Sequence, residues 1–199
     1  MSLAEHMSLT KFFIHTTGCK ANQWDSHAMA GRLMKKGYEP AAMAQADVII
    51  VNACTVTEGA VRDLRRFCNH ARRRNPDATL VLAGCHAQVY PGEGFGAHLV
   101  LGQAEKFRID EFLGRTGVYV EGGGTPAWDA SREGVPLEGK TRAFLKIQDG
   151  CDKYCAYCIV PYARGAPRSR PWEDIAAAMG VRAGRKVREV VLTGIGVGA

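Results

Sequence analysis

Three apolar runs in this chain each end in a small residue followed by cysteine, and no other feature constrains the fold as much. They are "KFFIHTTGC" (Lys11–Cys19), "ADVIIVNAC" (Ala46–Cys54) and "ATLVLAGC" (Ala78–Cys85). The Val/Ile content of the second marks a strand covered on both faces, and the third has the same character. Between these runs the apolar residues change to helical spacing. "SHAMAGRLMKKG" carries Met29 and Leu33 on one face, with Gly37 as its C-terminal stop. After Cys54, Thr55 or Thr57 can cap a helix with Val61, Leu64 and Phe67 inward, closed by "RRRNP" before Pro76. "HLVLG" (His98–Gly102) reads as a fourth strand and "QAEKFRIDEFLG" as a further helix. Strands alternating with helices predict a parallel α/β sheet with helices on both faces.

In such a sheet the C-terminal strand edge is where ligands bind, because the loops there form a crevice. Cys19, Cys54 and Cys85 all lie on that edge and are predicted to converge. Gly18, Gly84 and Ala53 are small enough to leave room beside the backbone for an inorganic group. The plainer alternative is three structural cysteines, since Cys is among the most buried residue types. Cys68, next to Phe67 inside the Arg-rich helix, reads as a packed bystander.

From Glu121 to Arg142 the pattern lapses into "EGGGTPAWDASREGVPLEGKTR", the Gly- and Pro-rich composition of a linker or mobile loop. This gives a first domain over residues 8–120, a linker over 121–140, and a second unit over 141–199. The second unit opens with a strand, "RAFLKIQDGC". A helix, "PWEDIAAAMGVRAG", and a strand, "REVVLTGIGVGA", follow. Between the first strand and the helix lies "GCDKYCAYC", with Cys151, Cys155 and Cys158 as C-x3-C-x2-C. Zinc would recruit a fourth Cys or His. None follows closely, although His86 or His98 could reach in principle. A 4Fe-4S cluster instead takes three cysteines and leaves one iron open. A redox C-x-x-C would use Cys155 and Cys158 and leave Cys151 surplus.

The composition, 46% hydrophobic and 23% charged over 199 residues, is that of an ordinary globular protein. No apolar run approaches bilayer length, the N-terminus lacks a signal-peptide core, and the default expectation is the cytoplasm without a membrane partner. Met1 to His6 reads as an added leader. In that compartment the seven cysteines are ligands, nucleophiles or buried thiols rather than disulfides. The net charge of +6, mostly from Arg, favours a polyanionic partner.

"CDKYCAYC", with an aromatic before its third Cys, resembles the radical S-adenosylmethionine signature. "CAYCIVPYARGAPRSRP" narrows the resemblance to the methylthiotransferases, and "GCKANQWDS", "VNACTVT" and "LAGCHAQ" are similar to that family's N-terminal domain. "GCKAN" followed by "VNACTVT" most resembles the branch acting on N6-threonylcarbamoyladenosine 37 of tRNA. The isopentenyladenosine branch and the branch acting on a ribosomal-protein aspartate carry other residues after the Gly-Cys pair.

The resemblance implies a parallel-sheet methylthiotransferase domain followed by the first βαβ part of a radical-SAM partial (β/α) barrel. It implies two 4Fe-4S clusters, an auxiliary one on Cys19, Cys54 and Cys85 and a radical one on Cys151, Cys155 and Cys158. S-adenosyl-L-methionine would complete the second, with Tyr157 against its adenine and Thr193 and Gly194 near its methionine part. The implied reaction puts a methylthio group at C2 of the adenine. Its partners are the tRNA anticodon loop, an electron donor and a sulfur donor. Arg62, Arg65, Arg66, Arg72, Arg73 and Arg74 on one helix, and Arg164, Arg168 and Arg170 after the radical loop, suit phosphate contacts. A solvated helix end explains "ARRRN" equally well. A family member would continue into a complete partial barrel and an RNA-gripping β-barrel, so the chain is expected to be a fragment, poorly active or inactive alone. The rival expectations are a non-catalytic iron–sulfur or RNA-binding module and a zinc-binding structural domain.

Overall fold

The computed structural model describes residues 10–122, 126–129, 142–183 and 187–198. The leader and most of the expected linker therefore lie outside the described residues. Six strands form one wholly parallel sheet: β1 (Lys11–Thr16), β2 (Glu39–Pro40), β3 (Val48–Ala53), β4 (Thr79–Gly84), β5 (Leu99–Leu101) and β6 (Gly117–Tyr119). Their order is β2-β1-β3-β4-β5-β6. The chain steps one way from β1 to β2 and the other way from there to β3, so β1 and β3 flank a topological switch point.

The alternation within β3 shows how the sheet is covered. Val48 and Ile50 face a core with Met29, Ala30 and Leu33 of α1 (Lys20–Lys35) and with Ile109 and Phe112 of the one-turn α4 (Ile109–Phe112). Ile49, Val51 and Ala53 face the other core, against Leu64, Cys68 and Ala71 of α2 (Glu58–Arg74) and Ala87 of α3 (Cys85–Val89). Both faces are dry, which is why the strands read as unbroken apolar runs. Thr57 caps α2, its hydroxyl accepting the Ala60 amide at 3.1 Å. Gly37 ends α1 in the left-handed region, φ 87°.

Two expectations change. The helix expected over Gln103–Gly114 is a 3-10 turn (Glu105–Arg108) leading into α4. Glu105, Lys106 and Phe107 are all buried there, so side-chain partners rather than helical periodicity set the backbone. The edge strands β2 and β6, two and three residues long, are additions to the expected set: β2 carries no apolar run, and the Val118–Val120 run at β6 is too short to mark a strand by itself.

The second unit pairs β7 (Arg142–Lys146) parallel with β10 (Glu189–Thr193) and carries α6 (Trp172–Ala183) between them. A short antiparallel pair, β8 (Gln148–Asp149) with β9 (Arg168–Ser169), and α5 (Val160–Arg164) frame the cysteine loop. β7 packs against α1, and α5 packs against α3. The described part of the expected linker is docked: Trp128 meets Trp24 edge-on at 5.9 Å, and its indole N–H donates to the Arg168 carbonyl at 3.4 Å. An indole that size has more to gain from burial than from staying mobile.

Candidate functional site: two cysteine triads and a buried charge network

The switch point assembles the first triad. Cys19 is the N-cap of α1, Cys54 follows β3 directly, and Cys85 opens α3 after β4. Thr17, just beyond β1, accepts the Cys54 amide through its hydroxyl at 2.9 Å, tying the two strand ends together. Gly18 lies between them at φ 93°, and a Cβ there would stand 2.8 Å from the Cys54 sulfur. Only glycine lets the β1 turn pass so close to that thiol. The sequence suggests a different task for Gly18 and Gly84, space for an inorganic group. Instead they admit neighbouring side chains: Gly18 the Cys54 thiol, and Gly84 the Asn52 amide, whose Oδ1 occupies the place of a Cβ.

The thiols feel one another. Burial raises the Cys54 thiol, and Cys85 and Cys19 push it in the same direction. Asn22, in the first turn of α1, braces all three positions. Its Nδ2 donates to the Thr17 carbonyl at 3.1 Å, its own carbonyl accepts from Asn52 at 2.8 Å, and its Oδ1 lies 3.9 Å from the Cys85 sulfur. Gln103 donates to that sulfur at 3.0 Å. Among the described residues no three His, Cys, Asp or Glu side chains are gathered tightly enough to grip one metal ion. The donor set nonetheless suits an iron–sulfur group: three soft thiols on one crevice, with one buried donor, Gln103, aimed at the Cys85 sulfur.

The second triad lies on the loop between β8 and α5. Cys155 is exposed, while Cys151 and Cys158 are partly covered. Two amides shape the loop, Cys151 N–H donating to the Gly165 carbonyl and Cys158 N–H to Cys155, both at 2.9 Å. Here too three thiols on a short, open loop fit a cluster with one iron left free. Tyr157, expected against adenine, is 92% exposed, so it contacts nothing that would hold it as core. Thr193 ends β10 and Gly194 packs on Gln148, whose Oε1 accepts the Ile195 and Gly196 amides at 2.8 and 2.7 Å. Neither histidine considered as a fourth ligand lies free beside this loop. His98 Nδ1 accepts the Leu80 amide at 2.9 Å before β5, at the N-terminal edge of the sheet, and His86 is buried against Tyr90 and Phe95.

Between the triads lies a network that no sequence pattern announces. Asp25 of α1 receives Lys106 at 2.7 Å, Lys146 at 2.5 Å and Arg164 at 3.2 Å, all four side chains being essentially inaccessible. Lys146 and Arg164 also hold Asp149, at 2.5 and 2.8 Å. Arg164 then donates to Asn22 Oδ1 at 2.6 Å, the oxygen beside Cys85. Burial alone would raise the Asp25 carboxyl, but Lys106, Lys146 and Arg164 together hold it down at about 2. Burial would likewise lower Arg164, yet Cys85, Asp149 and Asp25 carry it above its ordinary value. Three cations against two carboxylates leave one positive charge, next to the first triad. The nearest thing to a signal is in "GCKANQWDS", where an amide and an acid share a face of an otherwise buried helix.

The basic residues divide accordingly. Arg164 and Arg170 are buried, which corrects their expected place among phosphate contacts: Arg164 neutralises carboxylates and Arg170 lies over the Trp128 ring at 5.8 Å. Arg168 donates to the Arg164 carbonyl at 2.7 Å and is half-buried. Of the six arginines of α2, Arg62, Arg65, Arg66, Arg72, Arg73 and Arg74, all are exposed. Cys68 is fully buried, as a bystander should be, and burial pushes its thiol up to about 11.

A doubly wound sheet with thiols at its switch point, followed by a βα unit carrying a second thiol loop, is an α/β architecture that presents two separate sets of three thiols. Residues 11–100 match the family model described as "Uncharacterized protein family UPF0004". The chain is similar to proteins named as methylthiotransferases. It is 38% identical to the threonylcarbamoyladenosine tRNA methylthiotransferase MtaB of Aquifex aeolicus, over 92% of this chain and 47% of the relative. It is 35% identical to the protein of that name in Thermotoga maritima, over 93% and 44%. Against the tRNA-2-methylthio-N(6)-dimethylallyladenosine synthase of Cereibacter sphaeroides the identity is 37%, over 95% and 46%. The chain therefore spans about half the length of these relatives. In fold it is similar to TsrM of Kitasatospora setae, a radical S-adenosylmethionine methyltransferase, with TM-score 0.59 and 16% identity over 92% of this chain and 47% of that one. No helix among the described residues is long and apolar enough to cross a membrane.

Proposed function

We propose that this chain is the cluster-bearing part of a tRNA-modifying methylthiotransferase that places a methylthio group on C2 of N6-threonylcarbamoyladenosine 37. What carries the reading is the meeting of Cys19 and Cys54 at the switch point, with Cys85 just beyond the next strand, in a chain whose relatives bear that name. Cys19, Cys54 and Cys85 would hold one 4Fe-4S cluster and Cys151, Cys155 and Cys158 the other. When bound, the clusters would supply an electron for cleaving S-adenosyl-L-methionine and an open iron for the sulfur to be transferred.

The chain's own residues orient and shield. Asn22 and Thr17 fix the strand ends that present the thiols. Gln103 donates to Cys85 sulfur, and Arg164 sets positive charge beside a site whose ligands are anionic when engaged. Tyr157 would meet the cofactor's adenine and Thr193 and Gly194 its methionine part, and of the exposed arginines of α2 those on the β1 side, Arg66 and Arg73, would offer phosphate contacts. An electron donor and a sulfur donor complete the partners. Action on isopentenyladenosine is the second reading, supported by the similar identity to the dimethylallyladenosine synthases.

The test is anaerobic reconstitution with iron, sulfide and zinc counted. The wild type should hold about eight irons. The Cys19→Ala/Cys54→Ala/Cys85→Ala and Cys151→Ala/Cys155→Ala/Cys158→Ala variants should each hold about four. Zinc without sulfide would leave a structural zinc domain in place of this reading. Methylthiolated product that forms only with S-adenosyl-L-methionine would separate enzyme from passive RNA-binding module.

A further inference from the structure

We propose that the groove between β1 and α2 is a binding subsite for single-stranded RNA. Its floor for a base is the His15–Phe67 pair, and its phosphate contacts are Arg66 and Arg73. The proposal rests on the RNA substrate put forward above and names the surface that meets it.

The groove encloses about 880 Å³. It exists because β2 pairs only with Lys11 and Phe12, while α2 lies over β3 and β4. On the α2 side, His15 is thus covered by Phe67 and little else: the rings stack at 3.7 Å and 5°, both half-buried. Burial favours the neutral His15 ring, and the stacked pair, whose inner faces cover each other, has one outer uncharged face to offer the polar groove that both rings line. Such a floor accepts any base, because every base has a π-face.

The rim is one stripe of α2. Arg66, His70 and Arg73 recur three to four residues apart and line the same groove. Arg66 is 85% exposed, and its one ion pair, with Asp63 at 3.7 Å, is weak and solvated. Asp63 is the acidic member of the lining and opposes a phosphate there. Two other arginines of the helix are engaged in the fold itself. Arg65 lies over the Phe95 ring at 5.2 Å, and Arg72 lies on Gly96, where an added Cβ would stand 2.9 Å from the guanidinium carbon. The inner end of the groove is Thr17 and Gly18, immediately before Cys19. A strand lying along it runs beside the first thiol triad, as a loop must if one of its bases is to react there.

The experiment is fluorescence anisotropy of the full chain with a labelled anticodon stem-loop transcript, titrated across a salt series. Arg66→Gln and Arg73→Gln should each reduce the slope of log K against log salt by about 0.7, one single-strand phosphate contact apiece. Asp63→Asn should tighten binding about twofold by freeing Arg66. His15→Ala should weaken it about tenfold with the slope unchanged, the mark of lost stacking. Arg65→Gln and Arg72→Gln should bind with wild-type slope. Because Arg66 and Arg73 are exposed, their loss leaves the fold intact. If the wild type binds but those two variants keep its slope, or if Arg65→Gln and Arg72→Gln lose as much, the groove is overturned and the RNA reading stands. A wild type that binds no RNA at any salt overturns the RNA reading, and the groove with it.

Discussion

Gly18 and Cys68 show how differently single residues act in this chain. Gly18→Ala would force a left-handed backbone on a residue with a Cβ and press that carbon against the Cys54 thiol. The expected cost is about 2 kcal/mol or more, seen as a lower melting temperature, and iron retained by the first triad should fall with it. Cys68 works only as a packed thiol. Its raised pKa means that the folded chain keeps a proton which the unfolded chain releases above its ordinary value near 9. Its contribution is therefore complete below about pH 9 and is lost as pH climbs toward 11. The stability difference between wild type and Cys68→Ala should shrink across that window in urea titrations, with the iron count unaltered.

At the scale of elements, α1 is the hinge between sequence and site. Its Met29, Ala30 and Leu33 bury against the sheet, while Asn22 and Asp25 face the second unit. Asp25→Ala leaves three buried cations sharing one carboxylate, and is expected to cost about 3–5 kcal/mol in thermal or chemical unfolding. Acid should have a related effect. The Asp25 carboxyl is depressed to about 2, so its stabilisation is full above the ordinary value of 3.8 and disappears as pH falls through about 2. Asp25→Asn should flatten stability against pH over that range. Helical spacing of apolar residues makes both α1 and α2 legible in the sequence. The same spacing is silent on Asp25 meeting residues 81 and 121 positions away, because ion pairs of that kind leave no local period.

Across the whole molecule, α3 packing on α5 and β7 packing on α1 set the two triads on one body joined by Arg164. Under the proposed function only the second triad would have the cofactor as a ligand of its open iron. Adding S-adenosyl-L-methionine should shift the reduced-cluster EPR signal of the Cys19→Ala/Cys54→Ala/Cys85→Ala variant. The signal of the Cys151→Ala/Cys155→Ala/Cys158→Ala variant should not move, and a shift there would reverse the assignment of the two sites.

The sequence alone determined the alternation of buried strands and helices, because apolar periodicity is a local property, which tertiary packing overrode at the 3-10 turn Glu105–Arg108. It also determined which cysteines stand at strand ends, and that Cys68 stands apart from them. Tertiary structure decided what the remaining polar residues do. It turned Arg164 from an expected phosphate contact into the centre of a buried network, and it closed Gly18 and Gly84 onto neighbouring side chains. It also opened a groove at His15 where β2 is too short to cover β1. The physical reason is common to all three. Charge compensation and close approach depend on atoms brought together from distant parts of the chain, and only the folded sheet brings them together.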